Sequence, residues 1–391
     1  MPLAPRHHRR GPPPVTTHRE RPRRAGPSLQ PPRRRAARSL HPARDGSSGW
    51  QAHHRPLHPH RTDEESRRVA RINGGGGQGV KIVFLGSGEF GLPTLRKLSE
   101  DHTISGVVTQ PDRPAGRSRR PTPTPIGAWA EESLPVVALF KPENVNEQSV
   151  MDQIRALDSD AWVIIAFGQK LSGPLIKDRF AVNLHASLLP RWRGAAPINH
   201  AILAGDAETG NTVITIADRM DAGRILAQSR RVIHPTTTAS ELHDLLSNDG
   251  PPLVEQVLRQ HAESALSPEM QDESAVTRAG KLKKEHGWVD FTDSAENCRR
   301  RINGLSAWPG VGVLFRSEPL RLLRANTPSG NSDEDPGSIV DSASGLVACR
   351  GAGLLQLLEV QPPGKRVMAW KDYAHGRHVQ AGEKLIGGRA C

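Results

Sequence analysis

Short apolar runs alternate with amphipathic stretches between residues 81 and 265. The first run, residues 82–85, is closed by glycine, as in a buried strand, and residues 93–100 have the pattern of a helix. Similar strands are predicted at residues 104–109, 135–139, 162–167 and 181–184, with helices at residues 126–132 and 150–157. Because strands alternate with helices, the sequence predicts an α/β fold with a Rossmann-like parallel sheet and right-handed crossovers.

The pattern changes along the rest of the chain. A hairpin is predicted at residues 212–216 and 225–233, and two closing helices at residues 238–248 and 253–261, separated at Gly250, Pro251 and Pro252. Residues 266–278 are rich in polar residues and proline and predict an interdomain linker. In residues 279–391, a helix at 295–305 precedes short strands at 311–315, 320–324, 338–340, 346–350 and 354–360. These strands predict a small β-barrel.

Charge is distributed very unevenly over the 391 residues. The net charge is +12, and residues 1–80 account for all of it, with 17 arginines, no lysine and five acidic residues. Residues 81–391 are neutral overall, and they are long enough for two buried cores. Residues 1–80 also have many prolines and few apolar clusters, which predicts a disordered extension. An RNA-binding arm, a tail without a role, a targeting segment and a translation start assigned upstream of Val80 all remain open.

Cysteine content and hydropathy limit the class of protein. Cys298, Cys349 and Cys391 are too few and too scattered for a disulfide framework or a zinc site, so we expect reduced thiols in a cytoplasmic protein without a bound metal. No apolar run reaches the length of about eighteen residues that a membrane-spanning helix needs. We therefore expect a soluble protein without a membrane partner.

Residues 86–91 read G-x-G-x-x-G, directly between a predicted strand and a predicted helix. Asp112 follows at about the distance of the ribose-binding acid of dinucleotide-binding folds. However, Pro93 stands where the phosphate-binding helix should begin, and Asp112 lies between Pro111 and Arg113 in a loop. The same glycines also suit a tight turn that only builds the fold, and both interpretations remain open.

Two further groups of residues could bind a ligand or take part in catalysis. The loop at residues 109–120 has four arginines among prolines and a glycine, which suits phosphate binding but is also compatible with a mobile surface loop: Arg113, Arg117, Arg119 and Arg120. Asn183 and His185 occupy alternate positions of one strand and so share a face, and Asp221 lies in a later turn. An amide donor, an imidazole and a carboxylate that converge could catalyse acyl transfer.

Taken together, these motifs resemble the methionyl-tRNA formyltransferase family. The resemblance covers residues 81–386, and the first eighty residues fall outside it. It is specific because many motifs occur in order, with thirty-six residues from His185 to Asp221. The matching segments are residues 110–117, Asn183-x-His185, residues 187–190, residues 193–197, residues 221–223, Trp308-Pro309 and residues 358–364.

The resemblance implies transfer of a formyl group from 10-formyltetrahydrofolate to the α-amine of methionine on initiator tRNA. It implies a catalytic trio of Asn183, His185 and Asp221. The folate-binding turn is expected to comprise Ser187, Leu188, Leu189 and Pro190. The tRNA acceptor stem is expected to contact Arg117 and its neighbours, Arg113, Arg119 and Arg120. The domains implied are a disordered extension (1–80), a Rossmann-like formyltransferase domain (81–265), a linker (266–278) and an OB-like barrel that helps to hold tRNA (279–391).

Other functions share parts of this pattern. A sugar-nucleotide formyltransferase would have the same trio, whereas a glycinamide ribonucleotide formyltransferase would end near the first domain. A dinucleotide-dependent oxidoreductase could use the glycine-rich turn, and a non-catalytic RNA-binding protein could use the basic extension. Two basic clusters of the second domain are candidate phosphate contacts or solvated faces: Lys281, Lys283 and Lys284, and Arg299, Arg300 and Arg301. We expect a monomer that needs no nicotinamide cofactor.

Overall fold

The computed structural model describes residues 79–115 and 120–388. Nearly all of the predicted N-terminal extension, together with Arg117, Arg119 and Cys391, lies outside these residues. The strands of the first part of the chain are β1 (Lys81–Gly86), β2 (Thr103–Val108), β3 (Arg113–Ala115), β4 (Arg120–Thr122), β5 (Ala138–Phe140), β6 (Ala161–Ile165), β7 (Ala181–His185), β8 (Arg193–Gly194), β9 (Glu208–Thr215), β10 (Ile225–Val232) and β11 (Arg278–Ala279). The helices are α1 (Leu92–Asp101), α2 (Pro125–Ser133), α3 (Gln148–Arg155), α4 (Gly173–Ile176), α5 (Pro197–Ala204) and α6 (Ala239–Ala262).

Seven strands form the central sheet, in the order β10-β9-β7-β6-β1-β2-β5. The five strands from β7 to β5 are parallel, and β9 and β10 add an antiparallel hairpin at one edge. Alternate residues of β1 belong to different apolar cores: Ile82 and Phe84 pack with α1 and α6, whereas Val83 and Leu85 pack with α3 and α4. A sheet buried on both faces explains the continuous apolar runs of the sequence, and the predicted parallel α/β fold is confirmed.

The prediction of two closing helices separated by prolines is wrong. Residues 239–262 form the single helix α6, with Pro251 and Pro252 inside it. Leu242 and Leu246 before the prolines and Val254 and Val257 after them all belong to the same apolar core. Burial of one continuous stripe thus stabilises the helix enough to offset the backbone hydrogen bonds that the prolines cannot make.

The second domain is β-rich, as predicted, and surrounds its own core. Its strands are β12 (Val311–Phe315), β13 (Glu318–Asn326), β14 (Ile339–Asp341), β15 (Leu346–Ala348), β16 (Leu354–Gln361), β17 (Met368–Ala369) and β18 (Leu385–Ile386), and its helices are α7 (Ala295–Gly304) and α8 (Trp370–Arg377). The sheet order is β14-β15-β16-β13-β12-β18, with β17 on β16. The two ends of this order, β14 and β18, are also connected. Ile339 donates from its backbone to Glu383 (2.7 Å) and Leu385 donates to Gly337 (2.8 Å), so the sheet closes on itself.

Two of the three arginines of α7, Arg299 and Arg300, connect the two domains through hydrogen bonds to backbone oxygens. Arg299 is buried and donates to Glu296 and to the backbone oxygen of Pro235. Arg300 donates to Glu296 and to the oxygen of Ala204 at the end of α5. Arg301 donates to the backbone oxygens of Trp288 and His286, and its guanidinium stacks on the ring of Trp288. Arg299 and Arg300 therefore serve the domain interface, whereas these hydrogen bonds of Arg301 lie within the second domain.

Candidate active site

The first part of the site lies on β7. Asn183 is half-buried within the strand, and none of the described residues hydrogen-bonds its carboxamide. His185 is the last residue of the strand and is only 6% exposed. Its Nε2 lies 3.0 Å from the backbone oxygen of Trp192, which can only accept, so the ring donates Nε2–H there and the neutral ring has its lone pair on Nδ1.

Asp221 comes from the turn between β9 and β10, and its carboxylate faces the imidazole. Its Oδ2 lies 3.7 Å from Nδ1 of His185 and accepts a 2.8 Å hydrogen bond from the backbone nitrogen of Gly194. Asp221 has φ of +55°, which is unfavourable for a residue with a side chain. Gly194 has φ of +131°, and a Cβ there would lie 2.3 Å from the oxygen of Ala279, so only glycine fits. The structure thus brings Asp221 next to His185, and Asn183 lies two residues before His185 on the same strand.

The predicted folate-binding turn is rigid and only partly accessible. Ser187 is buried, and its hydroxyl donates to the oxygen of Arg191. Leu189 is also buried, with its backbone nitrogen bonded to the hydroxyl of Thr212, and a cis peptide bond precedes Pro190. Leu188 and Pro190 are half-buried. The four residues therefore divide into two that hold the turn and two that a ligand could contact.

Two of the four arginines between residues 109 and 120 lie on a short hairpin, in which β3 pairs with β4. Arg113 on β3 is exposed and pairs with Glu143 at 2.5 Å, while Arg120 on β4 is exposed. The base of this loop is fixed, because Gln110 donates to the oxygen of Phe167 at the end of β6. Arg117 and Arg119 lie outside the described residues, so the structure does not test whether the four arginines form one surface.

The glycine-rich turn has contacts that explain it without a dinucleotide. A Cβ on Gly86 would lie 2.6 Å from the ring of Phe84 and 2.9 Å from the oxygen of Ile165, so glycine is needed where β1 packs against β6. Asp112 accepts from Lys141 at 2.8 Å, which leaves its carboxylate engaged in an ion pair. Both features favour a turn that builds the fold.

Sequence reasoning missed the contribution of residues 266–278, the predicted linker. Arg193 is buried and donates to Gln271 and Glu273, both at 2.9 Å, and Thr277 accepts from the backbone nitrogen of Trp192 at 2.9 Å. The hydrogen bond from Arg193 lowers the pKa of Glu273 below its usual value of 4.5, and Arg219 adds to the shift. Strand β11 then pairs in parallel with β8. No motif in this polar stretch pointed to the site.

Two absences limit the chemistry of the described residues. Across residues 79–115 and 120–388, no three His, Cys, Asp or Glu side chains are grouped so that they could hold a metal ion. Over the same part of the chain, no helix combines the length and the apolar character needed to cross a membrane.

Two family models match the chain, one in each domain. Residues 80–258 match the formyl transferase family, and residues 281–378 match the C-terminal domain of formyl transferases. Among solved structures, HypX from Aquifex aeolicus in complex with tetrahydrofolic acid has a TM-score of 0.53 at 15% identity, covering 78% of this chain and 48% of that one. The sugar 3N-formyl transferase WlaRD has a TM-score of 0.54 at 14% identity, covering 74% of this chain and all of that one. At such identities the two structures support the fold alone.

Sequence relatives are more informative. Methionyl-tRNA formyltransferase of Methylococcus capsulatus is 41% identical over 310 residues, which cover 78% of this chain and 99% of the relative. The enzyme of the same name from Bacillus licheniformis is 37% identical over 312 residues, covering 78% and 98%. The aligned length of these relatives is close to the span from residue 79 to residue 388 that the structure describes. The chain therefore belongs to the methionyl-tRNA formyltransferase family.

Proposed function

We propose that this enzyme transfers the formyl group of 10-formyltetrahydrofolate to the α-amine of initiator methionyl-tRNA, with Asn183, His185 and Asp221 at the reacting centre. The observation that carries the proposal is the approach of the Asp221 carboxylate to the His185 imidazole, beside Asn183, in a chain of this family. We expect the enzyme to act as a monomer in the cytoplasm, the compartment of translation.

The reaction moves a formyl group from one nitrogen to another. The lone pair of the α-amine forms a bond to the formyl carbon, and the electrons of the carbonyl move onto the formyl oxygen. None of the described residues hydrogen-bonds the carboxamide of Asn183, so its amide can donate to this oxygen as negative charge develops. Such a donor stabilises the transition state more than the substrate, which raises kcat rather than binding.

The attacking amine must also lose a proton. Because Nε2–H of His185 is directed to Trp192, the free lone pair on Nδ1 can take this proton. The imidazolium that forms faces Asp221, whose carboxylate stabilises it. The intermediate then collapses: the bond from the formyl carbon to N10 of the folate breaks, and N10 takes up the proton as tetrahydrofolate leaves. Proton and electron pairs balance without a redox step.

Binding of the formyl donor is assigned to the turn at residues 187–190. Leu188 and Pro190 supply partly exposed apolar surface, which suits a planar pteridine, and the buried Ser187 and Leu189 keep that surface in place. Two structural neighbours were solved with tetrahydrofolic acid and with 5-N-formyl-tetrahydrofolate, which supports this class of donor.

Binding of tRNA is assigned to basic side chains around the site. The arginine-rich loop contributes Arg113, Arg117, Arg119 and Arg120, of which Arg113 and Arg120 are exposed in the structure. The exposed lysines that follow β11 offer a second surface: Lys281, Lys283 and Lys284. The backbone oxygen of Gly280 accepts from His200 on α5, which fixes the backbone directly before these lysines. Each phosphate contact adds salt-dependent affinity without a need for overall positive charge.

The direct test is formylation of methionyl-tRNA with 10-formyltetrahydrofolate by the full chain and by a chain beginning at Val80. Both proteins should be active, and Asn183→Ala or His185→Ala should lower kcat by about 10²–10⁴-fold. A nucleotide-linked amino sugar offered as the acceptor should remain unformylated. Formylation of the sugar and not of the tRNA would overturn the proposal, and so would full activity of both variants.

A further inference from the structure

We propose that Gln271 is a positioning residue for Asp221, so that the predicted linker is part of the catalytic framework. The inference rests on the proposed role of Asp221 in proton transfer. Gln271 is 8% exposed, and its carboxamide is fully engaged. Its Nε2 donates to the backbone oxygens of Asp221 (2.8 Å) and Gly223 (2.7 Å), and its Oε1 accepts from Nε of Arg193 (2.9 Å).

The two donor bonds hold a turn that the backbone alone would not favour. Asp221 has φ of +55°, and such a conformation persists only where surrounding contacts enforce it. Gln271 bonds to the oxygen of Asp221 itself and to that of Gly223, and a Cβ on Gly223 would lie 1.6 Å from the oxygen of Thr215. The turn is thus fixed from both sides, which sets the direction of the Asp221 carboxylate.

The acceptor bond of Gln271 fixes the opposite wall of the site. Arg193 is 3% exposed, and its other terminus pairs with Glu273 at 2.9 Å. Its backbone nitrogen donates to the oxygen of Thr277 at 3.0 Å. These contacts hold the next residue, Gly194, whose N–H donates to the Asp221 carboxylate. The side chain of Gln271 therefore joins the turn that contains Asp221 to strand β8, where Gly194 orients the Asp221 carboxylate.

This arrangement matters for catalysis because the carboxylate is not in direct hydrogen-bond contact with the imidazole. The distance from Oδ2 to Nδ1 is 3.7 Å, so the stabilisation of the imidazolium by the carboxylate depends on how firmly the turn holds Asp221 in place. A displacement of about 1 Å in such a geometry can lower the rate by about 10²-fold. The positioning of Asp221 by Gln271 should thus affect kcat more than the binding of either substrate.

The test is Gln271→Glu, which keeps an acceptor for Arg193 and replaces the two donor bonds by repulsion between carboxylate and backbone oxygens. We expect kcat to fall by about 10–100-fold, with KM for both substrates within about twofold of the parent. The matched control is Gln148→Glu, an exposed position at the first turn of α3, which should leave both constants unchanged. Melting curves of the full chain show whether the variants remain folded.

A double-mutant cycle with Asp221→Asn separates positioning from general damage. If Gln271 acts through Asp221, Gln271→Glu should cost less than about threefold in the Asp221→Asn background. Equal losses in both backgrounds, or a loss confined to KM, would overturn the inference while the proposed function stands. If instead Asp221→Asn retains parental kcat, the proposed catalytic role fails first, so the two failures are distinguishable. Should Gln271→Glu not fold, Gln271→Met, which removes the donors without adding charge, supplies the same cycle.

Discussion

Replacement of Asp221 by asparagine is the sharpest perturbation of the site. The substitution removes one negative charge and keeps the shape of the side chain. An amide oxygen can still accept the 2.8 Å hydrogen bond from the backbone of Gly194, so the turn should keep its conformation. The bonds from Gln271 go to backbone oxygens and are not altered. The variant therefore isolates the charge of the carboxylate.

The magnitude follows from the distance to the imidazole. At an effective dielectric constant of about 20, unit charges 3.7 Å apart attract one another by about 4.5 kcal/mol. In the proposed mechanism His185 takes the proton of the amine during the reaction, so this attraction lowers the barrier more than it strengthens substrate binding. Since each 1.36 kcal/mol is tenfold in rate, kcat should fall by about 10³-fold, with KM little changed.

The assay is steady-state formylation of methionyl-tRNA at saturating 10-formyltetrahydrofolate. Asp218→Asn is the matched control, because Asp218 lies in the same turn, is exposed, and should give parental kcat. A kcat for Asp221→Asn within about threefold of the parent would refute the electrostatic role of the carboxylate. A large rise in KM at constant kcat would instead assign Asp221 to substrate binding.

Three further predictions concern binding and stability. Arg117→Ala should raise KM for the charged tRNA and reduce the salt dependence of binding by about one phosphate contact, as fluorescence titration at several salt concentrations can measure. The hydrogen bond from Arg324 lowers the pKa of Glu241, so the stability that this pair provides is present above pH 4.5 and lost as pH falls through the lower folded-state value. Because the Glu241 side chain is 44% exposed and solvent screens the pair, Glu241→Gln should destabilise the protein at pH 7 by only about 0.5–1 kcal/mol, and by much less near pH 3. Burial lowers the pKa of His261, which stacks on Phe180, so stability should fall as pH drops below 6.5, and His261→Leu should reduce that slope in melting curves.

Each of these predictions has an outcome that contradicts it. An unchanged salt slope for Arg117→Ala would remove that arginine from the tRNA surface. A free energy of unfolding for Glu241→Gln that differs from the parent equally at pH 3 and pH 7 would show that the ion pair with Arg324 is not its cause. A parental slope between pH 5 and 8 for His261→Leu would assign the acid sensitivity of the fold to other groups.

Most of the fold was predictable because the signals were local. Strand β1, helix α1 and the hairpin of β9 and β10 follow from apolar periodicity and turn residues. The predicted helix break at Pro251 was wrong, because proline usually ends a helix but here tertiary packing keeps the helix continuous. The apolar residues of α6 on both sides of Pro251 pack against the sheet. Helix α8 was not predicted, since its sequence is short and mostly polar and only Trp370, Tyr373 and Ala374 are buried.

The trio of the candidate site could be proposed from the sequence because spacing and residue type both carried information. The tautomer of His185 could not be predicted from the sequence, since it depends on a hydrogen bond to the backbone oxygen of Trp192. The division of the turn at residues 187–190 into supporting and accessible side chains depends on burial, which the sequence pattern does not predict outside a regular strand. The role of Arg299 at the domain interface also required the structure, since an arginine cluster has the same sequence pattern on a solvated face and beside buried backbone oxygens.

The predicted linker shows why polar composition was misleading at this site. A stretch without apolar periodicity is usually solvated, because it has no surface to bury. Loops that form a catalytic centre, however, expose backbone groups that strands and helices cannot satisfy, and these groups need polar partners. Gln271 supplies such a partner to the turn of Asp221, and Thr277 supplies one to the loop after β7. A polar segment that follows a catalytic turn in the sequence therefore has two interpretations, solvent-exposed connection or internal partner of the loops, and only the hydrogen bonds of the folded chain distinguish them.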